Sequence, residues 1–422
     1  MRMMKDSGLS WLGSIPSNWE VLYPKQLFQV RKERARDDDV MLTASQHLGM
    51  VPQDEFMKAE SYTPVVVEKG HDILKHVEPG DFVISMRSFQ GGLEYSRVRG
   101  KMSSAYLALY PIDDRVEDEY FKWLFKSDGY ISSLQSTSNL VRDGQALRFA
   151  NFIQVFLPLP PEDEQRAIAA YLDKACAEVD RAIEAAETSI EEYLTYKHSI
   201  TYATVIGGIG KSPLKRTGVE WMSEIPEEWD TIEVGRLAEQ IKNSNDGMLE
   251  TNLLSLSYGT VRRRDINSNE GLLPASFESY NIIEDGDIVL RFTDLQNDQK
   301  SLRVGRATER GIITSAYVVI RPNEYKSSRY IYYALHSYDL RKGFYGMGAG
   351  VRQGLKWQEA RYIQIPQPPL EEQIAIADYL DTKYAEIDAV IEAKRNIIDE
   401  LKAYRKSLVY EYVTGKREVP CQ

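Results

Sequence analysis

The sequence contains only two cysteines and no long apolar segment. Cys176 stands inside a helical pattern and Cys421 at the very end, so neither a disulfide framework nor a cysteine metal site can be assembled. The opening residues MRMMKDSGLS lead directly into charged and polar residues, without an apolar stretch suited to a signal peptide or a membrane-spanning helix. We therefore expect a cytoplasmic protein.

Histidine is also scarce, and the common catalytic motifs are missing. The five histidines show no metal-binding spacing such as HExxH. The residues GGIGKS at 207–212 resemble the end of a phosphate-binding loop, but Val205 stands where that motif needs its first glycine. A helix C-cap followed by a linker explains these glycines better. Because no dinucleotide, nucleophile-elbow or amino-methyltransferase motif occurs either, the chain is predicted to catalyse no reaction alone.

The net charge of -11 argues at first sight against binding to phosphate. The excess acid is concentrated, however, in residues 162–206, with four basic and ten acidic groups, and 370–422, with eight and eleven. Residues 1–161 carry 19 basic and 21 acidic groups, and residues 207–369 carry 21 of each. Local basic surfaces therefore remain possible in these two nearly balanced segments.

Most of the chain consists of two copies of one internal sequence repeat. The stretch PPEDEQRAIAAYLDKACAEVD at 160–180 returns as PPLEEQIAIADYLDTKYAEID at 368–388, and the offset stays at 208 from the double proline onward. Upstream, SGLSWLGSIPSNWEV, EPGDFVISMR and SSAYLALYP return as TGVEWMSEIPEEWD, EDGDIVLRF and TSAYVVIRP, with offsets between 206 and 211. The pattern indicates a tandem duplication in which two variable modules alternate with two rigid segments.

The variable modules are predicted to be mixed α/β. GDFVISMR and GDIVLRF are short apolar runs entered through a Gly-Asp turn, and AYLALYP and AYVVIRP are apolar runs stopped by proline, which is typical of strands. The segments EYFKWLFKS and RYIYYALHS predict short helices whose aromatic residues face the core.

The rigid segments are predicted to be long helices that pair with each other. Each begins after a double proline with acidic residues in its first turn, where the helix dipole favours them. About 45 residues without a break give a helix of roughly 65 to 70 Å. Apolar or small residues follow a heptad seam that needs a partner helix, although the charged residues Lys383, Lys394 and Glu411 make the second seam imperfect. The predicted seams are Ile168, Leu172, Ala175, Val179, Ala182, Ala186, Ser189, Tyr193, Tyr196, Ile200 and Ala203, and Ile376, Leu380, Lys383, Ile387, Val390, Lys394, Ile397, Leu401, Tyr404, Leu408 and Glu411.

The linker GGIGKSPLKR decides how the helices pair. Its ten residues span at most about 35 Å, too little to return along a whole helix, so antiparallel pairing is favoured. The predicted fold class is α+β, with two mixed α/β domains separated by an antiparallel coiled coil and related by a pseudo-twofold. The predicted boundaries are 1–161 and 215–369 for the domains, 162–206 and 370–414 for the helices, 207–214 for the linker and 415–422 for a tail.

The repeated motifs resemble the specificity subunit of type I restriction-modification systems over essentially the whole chain. They are the W-x3-IP-x2-W opening, the Gly-Asp strand and the PP-x2-EQ-x2-IA-x-YLD helix start. The resemblance implies two target-recognition domains that each read one half of a bipartite asymmetric DNA sequence, with spacer helices between them. It also implies two modification (methyltransferase) subunits and restriction (translocase/endonuclease) subunits as partners, with S-adenosylmethionine, ATP and Mg bound there and no cofactor in this chain.

The variable loops supply the side-chain types that read base edges or bind phosphate. The candidates in the first module are Gln46, His47, Arg87, Ser88, Gln90, Arg142, Gln145 and Arg148. Those in the second are Arg262, Arg263, Arg264, Arg291, Thr293, Gln296, Asn297, Arg352, Gln353 and Lys356. The arginine triplet at 262–264 is the densest basic run, and we expect it to contact phosphate more than bases. For each candidate the alternative is an ordinary solvated loop side chain.

Two other functions fit parts of the sequence. A scaffold that recruits partner proteins through the duplicated helices would agree with the negative net charge, and its assembled complex would show absent or salt-insensitive DNA binding. A nuclease or methyltransferase with unrecognised motifs would be revealed by methyl transfer from the isolated chain. The non-catalytic DNA-recognition subunit accounts for more of the sequence than either.

Overall fold

The computed structural model describes residues 2–46, 48–59, 73–85, 92–137, 147–265, 274, 276–295, 298, 301–347 and 354–420. The chain forms two compact units. Unit 1 comprises residues 1–187 and 395–422, and unit 2 comprises residues 188–394. Two long helices, α6 at Glu162–Gly207 and α10 at Leu370–Val413, each begin in one unit and end in the other.

Unit 1 is built on antiparallel strands. Those in its described residues are β1 Met4–Asp6, β2 Ser14–Pro16, β3 Glu20–Leu22, β4 Phe28–Val30, β5 Leu42–Ser45, β6 Gly49–Pro52, β7 Lys75–Val77, β8 Phe82–Ser85, β9 Glu94–Tyr95, β10 Gly100–Met102, β11 Tyr106–Pro111 and β12 Leu157–Leu159. Strands β4, β11, β8 and β9 form one four-stranded sheet in that order. The other strands form the pairs β1–β2, β3–β12, β5–β6 and β7–β10.

Unit 2 repeats this arrangement strand for strand. Its described residues form β13 Leu214–Val219, β14 Met222–Pro226, β15 Asp230–Glu233, β16 Ala238–Ile241, β17 Leu254–Ser257, β18 Thr260–Arg263, β19 Asn281–Ile283, β20 Ile288–Leu290, β21 Val304–Arg306, β22 Gly311–Ile313, β23 Val318–Pro322 and β24 Gln364–Gln367. The sheet order is β16, β23, β20 and β21, and the pairs are β13–β14, β15–β24, β17–β18 and β19–β22. Adding twelve to each strand number of unit 1 gives the pairing of unit 2, which confirms the duplication.

The remaining helices are short. They are α1 Pro24–Leu27, α2 Gln53–Ala59, α3 Asp118–Leu124, α4 Asp128–Ser136 and α5 Phe149–Phe152 in unit 1, and α7 Val234–Leu237, α8 Ser328–Leu340 and α9 Trp357–Ala360 in unit 2. Single 3-10 turns occupy Asp246–Met248, Tyr325–Ser327 and Gly343–Gly346. Helices α3 and α8 confirm the prediction for the two aromatic segments, because Phe121 and Tyr330 are buried in the cores of their units.

The long helices pack antiparallel within each unit. In unit 1 the ring of Tyr171 near the start of α6 lies 4.5 Å from that of Tyr412 near the end of α10. In unit 2 the hydroxyl of Thr201, near the end of α6, lies 2.7 Å from that of Tyr384, near the start of α10. The start of each long helix therefore lies beside the end of the other. The prediction of antiparallel pairing is confirmed.

The strict heptad seam is wrong in detail. Tyr196 and Tyr404 are exposed, although the heptad places both on the buried side. Thr201 and Ile398 are buried instead, and Ile397 is exposed. The buried positions thus follow the 3.6-residue turn of an undistorted α-helix and not the 3.5-residue turn of a coiled coil. Over one heptad the two repeats differ by about 20°.

The residues that define the repeated motifs fasten each module to the start of a long helix. Trp19 donates its indole N–H to Glu164 of α6 at 2.9 Å, and Trp229 donates to Glu372 of α10 at 2.9 Å. The next residue, Gln165, is fully buried. Its side chain donates to the carbonyls of Pro160 and Arg115 and accepts the backbone N–H of Glu117.

A second attachment joins each module to the end of the other long helix. In unit 1 the hydroxyl of Tyr120 donates to the carbonyl of Val413, at the end of α10, at 2.8 Å. The equivalent Tyr330 of unit 2 donates to the carbonyl of Pro366 at 3.0 Å and lies 3.5 Å from that of Val205 near the end of α6. Each module therefore holds one helix start and one helix end.

Replacing Gln165 with alanine should lower the free energy of unfolding of unit 1 by about 2–4 kcal/mol, because buried backbone groups left without partners cost about 1–3 kcal/mol each. Gln154→Ala is the matched control, since the exposed side chain of Gln154 donates to the carbonyl of Ala150, one turn earlier. Urea denaturation followed by tryptophan fluorescence measures both. Equal effects of the two substitutions would contradict the role given to Gln165.

Candidate nucleic-acid interface

The β17–β18 hairpin of unit 2 presents a polar outer face. Its turn residues Tyr258 and Gly259 have φ angles of 46° and 79°, as a two-residue hairpin turn requires. Leu254, Leu256 and Val261 point inward and are buried. The opposite face carries the polar side chains Ser255, Ser257, Thr260 and Arg262. A two-stranded ribbon of this kind fits the width of the DNA major groove.

The predicted arginine triplet lies at the end of this hairpin, and its members differ. Arg262 stands opposite Ser255 on the outer face and is exposed. Arg263 is exposed but donates its guanidinium to Glu309 at 2.8 and 2.9 Å, so its charge is already balanced. Arg264 is exposed, and its backbone N–H bonds to the carbonyl of Leu253. Within the part of the chain that the structure describes, Arg262 has no carboxylate partner.

The equivalent hairpin of unit 1, β5–β6, carries another predicted residue. Gln46 is exposed at its turn, and its carbonyl lies 3.4 Å from the ammonium of Lys126. Both hairpins rest on the edge strand of the four-stranded sheet: a Cβ on Gly49 would meet the carbonyl of Tyr95 in β9, and one on Gly305 in β21 would meet Leu256. The duplication thus places Gln46 and Arg262 on corresponding hairpins.

The loop after the Gly-Asp strand of unit 2 brings three more predicted residues together. Arg291 pairs with Asp298 at 3.3 Å, and Thr293 is exposed two residues later. The backbone N–H of Leu355 donates to the carbonyl of Phe292 at 3.1 Å, which places the neighbouring Lys356 beside this loop.

Arg148 and Lys356 occupy equivalent positions immediately before the short helices α5 and α9. Both side chains are exposed. The backbone N–H of Arg148 bonds to the side chain of Asn151, and that of Lys356 bonds to the side chain of Glu359. The positively charged side chains of Arg148 and Lys356 therefore occupy equivalent positions in the two units.

Ten predicted residues lie outside the described residues. They are His47, Arg87, Ser88, Gln90, Arg142, Gln145, Gln296, Asn297, Arg352 and Gln353. The contacts of all eighteen candidates with DNA remain predictions.

Arg303 is a supporting residue that the sequence pattern did not reveal. Its side chain is fully buried and donates to the carbonyls of Thr293 at 2.6 Å and Asp294 at 3.2 Å, and also to that of Asp298. A buried guanidinium is tolerated when its donors are satisfied in this way. Arg303 thereby fixes the backbone of the loop that carries Arg291 and Thr293, although it faces the protein interior.

The aspartates of the Gly-Asp turns have a structural role. Asp81 accepts two bonds from Arg31, at 2.6 and 2.8 Å, and Asp287 accepts two from Arg321, both at 2.7 Å. Both carboxylates are buried, and burial raises the pKa of Asp81. These arginines therefore balance interior charge and are not available to phosphate.

The described residues show neither a metal site nor a membrane-spanning helix. They contain no group of three or more histidine, cysteine, aspartate or glutamate side chains able to hold a metal ion. No helix among them combines the length and the apolar composition needed to cross a bilayer.

Comparison with known proteins gives relatives along nearly the whole chain. A protein of Methanocaldococcus jannaschii named putative type I restriction enzyme MjaX specificity subunit is 22% identical over 434 positions, covering 97% of this chain and 96% of that protein. The type I restriction enzyme MjaVIII specificity subunit of the same organism is 21% identical over 361 positions, covering 81% and 80%. Over most of its length, this chain is similar to type I specificity subunits. No family model matches it.

Solved structures agree with this specificity-subunit fold. A chain from a study of complex assembly and conformational transition in the type I R-M system superposes with a TM-score of 0.66 at 14% identity, covering 96% of this chain and 99% of that one. The HsdS subunit of Thermoanaerobacter tengcongensis gives a TM-score of 0.51 at 16% identity, covering 96% and 98%. The two curated relatives are named as specificity subunits, which supports a DNA-recognition role without catalysis for this chain.

Replacing Arg303 with leucine should release the loop at 291–298. Carbonyls that the guanidinium now satisfies would lose their donor, so we expect amide hydrogen exchange across the loop to rise at least about tenfold, as a loss of more than 1.4 kcal/mol implies. Arg310→Leu is the control, because the guanidinium of the exposed Arg310 donates to the side chains of Glu250 and Glu284 and not to the loop. An unchanged exchange rate at 291–298 in the Arg303 variant would contradict the role of this side chain.

Proposed function

We propose that each unit reads one half of a bipartite, asymmetric DNA sequence for a type I restriction-modification complex. The observation that carries the proposal is the strand-for-strand duplication, in which corresponding hairpins present different side chains. The turn of β5–β6 carries Gln46, whereas β17–β18 carries Ser255, Thr260 and Arg262. One backbone frame with two side-chain sets would recognise two different half-sites, so the complete site would not be a palindrome.

The hairpins and the neighbouring loops are the surfaces proposed to meet DNA. Hydroxyl groups on a two-stranded ribbon can donate to base acceptors in the major groove, and Arg262 beside them would contact phosphate. Exposed cations at Arg148 and Lys356 would contribute phosphate contacts, which orient a protein on the duplex without reading sequence. Arg263 would act mainly through its bond to Glu309, by holding the end of the hairpin in place.

The long helices are proposed to set the gap between half-sites and to dock two modification subunits. Residues 162–206 carry ten acidic and four basic groups, a balance that suits protein partners better than phosphate. Restriction subunits would join the same complex. S-adenosylmethionine, ATP and Mg are proposed to act on these partners, with no cofactor in the specificity subunit.

Arg262→Ala should weaken duplex binding by the complex of this chain with two modification subunits at every DNA sequence. The slope of log affinity against log salt concentration should fall by about 1, because one phosphate contact is lost. Fluorescence anisotropy with a labelled duplex at several salt concentrations measures both quantities.

Arg236→Ala serves as the control, since Arg236 is exposed in the same unit but lies away from the hairpin, in α7. An unchanged slope for Arg262→Ala would remove Arg262 from the interface. Absent or salt-insensitive binding by the unsubstituted complex would contradict the DNA-recognition proposal itself.

A further inference from the structure

The turn of the β17–β18 hairpin exposes a large aromatic side chain. Tyr258, the first of the two turn residues, is 77% exposed. Among the described residues its ring has no aromatic or cationic partner, and its hydroxyl has no hydrogen-bond partner. Apolar surface is stabilised when it is removed from water, so a ring this exposed contributes little to the stability of unit 2.

The backbone at Tyr258 is also unfavourable for a tyrosine. Its φ of 46° lies in the left-handed region, where bulky side chains are rare. A two-residue hairpin turn in which both φ angles are positive normally begins with asparagine, aspartate or glycine. Folding therefore does not explain the choice of tyrosine here, and strained positions of this kind are concentrated at functional sites.

The body of unit 2 supports the turn from the opposite side. Gly259 is buried, and a Cβ added to it would lie 3.1 Å from Leu302 and 3.5 Å from His336. A Cβ added to Gly305 in β21 would lie 3.4 Å from the carbonyl oxygen of Gly259. One turn residue thus packs against the unit while Tyr258 faces solvent. A ligand that covered the tyrosine would not have to order the turn first, which favours binding.

Tyr258 continues the polar outer face of the hairpin at its tip. Ser257, the preceding residue, pairs across the ladder with Thr260, and Ser255 pairs with Arg262. The ring therefore lies beside the hydroxyl groups proposed to donate to base edges and at the opposite end of the ribbon from the arginine proposed to contact phosphate. This continuity favours DNA as the partner that covers the ring.

The chemistry of the major groove indicates which part of a base pair the ring would meet. Most groups that base pairs display there are hydrogen-bond donors or acceptors, and the C5 methyl of thymine is the apolar exception. An aromatic ring gains free energy by burying its apolar surface against that methyl and gains none against a solvated amino group or carbonyl. An apolar contact of this kind distinguishes thymine from cytosine at one position.

The corresponding turn of unit 1 has an apolar side chain as well. The β5–β6 hairpin turns between Ser45 and Gly49, and Leu48 in this turn is 50% exposed. An exposed apolar side chain therefore occurs at the tip of both hairpins, aliphatic in one unit and aromatic in the other. The repetition indicates a shared use of the position, and the different side chains agree with different half-sites.

We propose that the ring of Tyr258 packs against the methyl group of a thymine in the half-site of unit 2, which makes Tyr258 a specificity-determining residue. This inference rests on the proposed DNA-recognition function. Because the contact neutralises no phosphate, Tyr258 would add sequence discrimination without adding salt dependence.

The test uses the complex of the full chain with two modification subunits and a pool of duplexes of random sequence. Sequencing of the bound fraction gives the preferred bases at each position of the site. For the unsubstituted complex we expect one thymine whose preference disappears in Tyr258→Asn, while the other positions of the site stay the same. Replacing that thymine with deoxyuridine, which lacks only the methyl, should weaken binding about fivefold for the unsubstituted complex and less than about twofold for Tyr258→Asn.

Asparagine is chosen because it tolerates the left-handed conformation that the turn requires. The midpoint of urea denaturation should therefore stay the same or rise in Tyr258→Asn, and a lower midpoint would overturn the claim that the ring serves binding and not folding. The slope of log affinity against log salt concentration should not change. A slope reduced by about 1, as expected for Arg262→Ala, would make Tyr258 part of a phosphate contact and would overturn the proposal.

Tyr362→Asn is the matched control. Tyr362 is 62% exposed in the same unit, but it lies between α9 and β24 and its φ is not positive. Its substitution should leave the thymine preference intact, and loss of the preference in this variant as well would overturn the assignment to Tyr258.

Two kinds of failure are distinguishable. A bipartite site that is selected unchanged by Tyr258→Asn, or equal binding of the thymine and deoxyuridine duplexes, would overturn the role of Tyr258 and leave the DNA-recognition proposal in place. Selection of no sequence by the unsubstituted complex would contradict the DNA-recognition proposal and, with it, the role of Tyr258.

Discussion

The indole of a tryptophan and the carboxylate at the start of a long helix form the bond on which each half of this molecule depends. Trp19 bonds to Glu164 and Trp229 to Glu372, both at 2.9 Å, in parts of the chain more than 140 residues apart in sequence. The side chain of the adjacent Gln165 bonds to backbone groups of Pro160, Arg115 and Glu117. Because Trp19, Glu164 and Gln165 all belong to the repeated motifs, the surface of a module can change without weakening its connection to the helix.

The two units differ in their buried side chains as well as in their surface side chains. The Gly-Asp aspartate is buried and paired in both, yet Arg31 follows strand β4 whereas Arg321 lies in β23. In unit 2, the fully buried Arg303 holds the backbone of one loop in place. At the neighbouring edge strand, unit 1 places the buried Glu94 beneath its hairpin. A shared backbone thus supports separate interior charge networks, which position different side chains at corresponding outer sites.

The sequence predicted what local chemistry determines. Double prolines, acidic first turns and apolar runs after Gly-Asp act over a few residues, and the helices and strands they indicate are present. The heptad seam failed at Tyr196 because small and aromatic residues around an acidic helix permit several apolar rows, and packing selects one. The role of Arg303 could not be predicted from the sequence, because its hydrogen-bond acceptors are backbone carbonyls and leave no side-chain pattern. The bond from Arg263 to Glu309 spans 46 residues, so the sequence could not show that this charge is balanced.

The proposed function requires each module to be an independent reading head, and the sequence repeat predicts that the two heads are related by a pseudo-twofold. Replacing residues 1–161 with a second copy of residues 212–369, joined at the shared double proline, tests this requirement directly. The measurement is the map of methylated positions in DNA exposed to the variant together with its modification subunits. The account predicts a palindromic site made of two inverted copies of one original half. Direct repeats of that half, or methylation at the original asymmetric site, would contradict it.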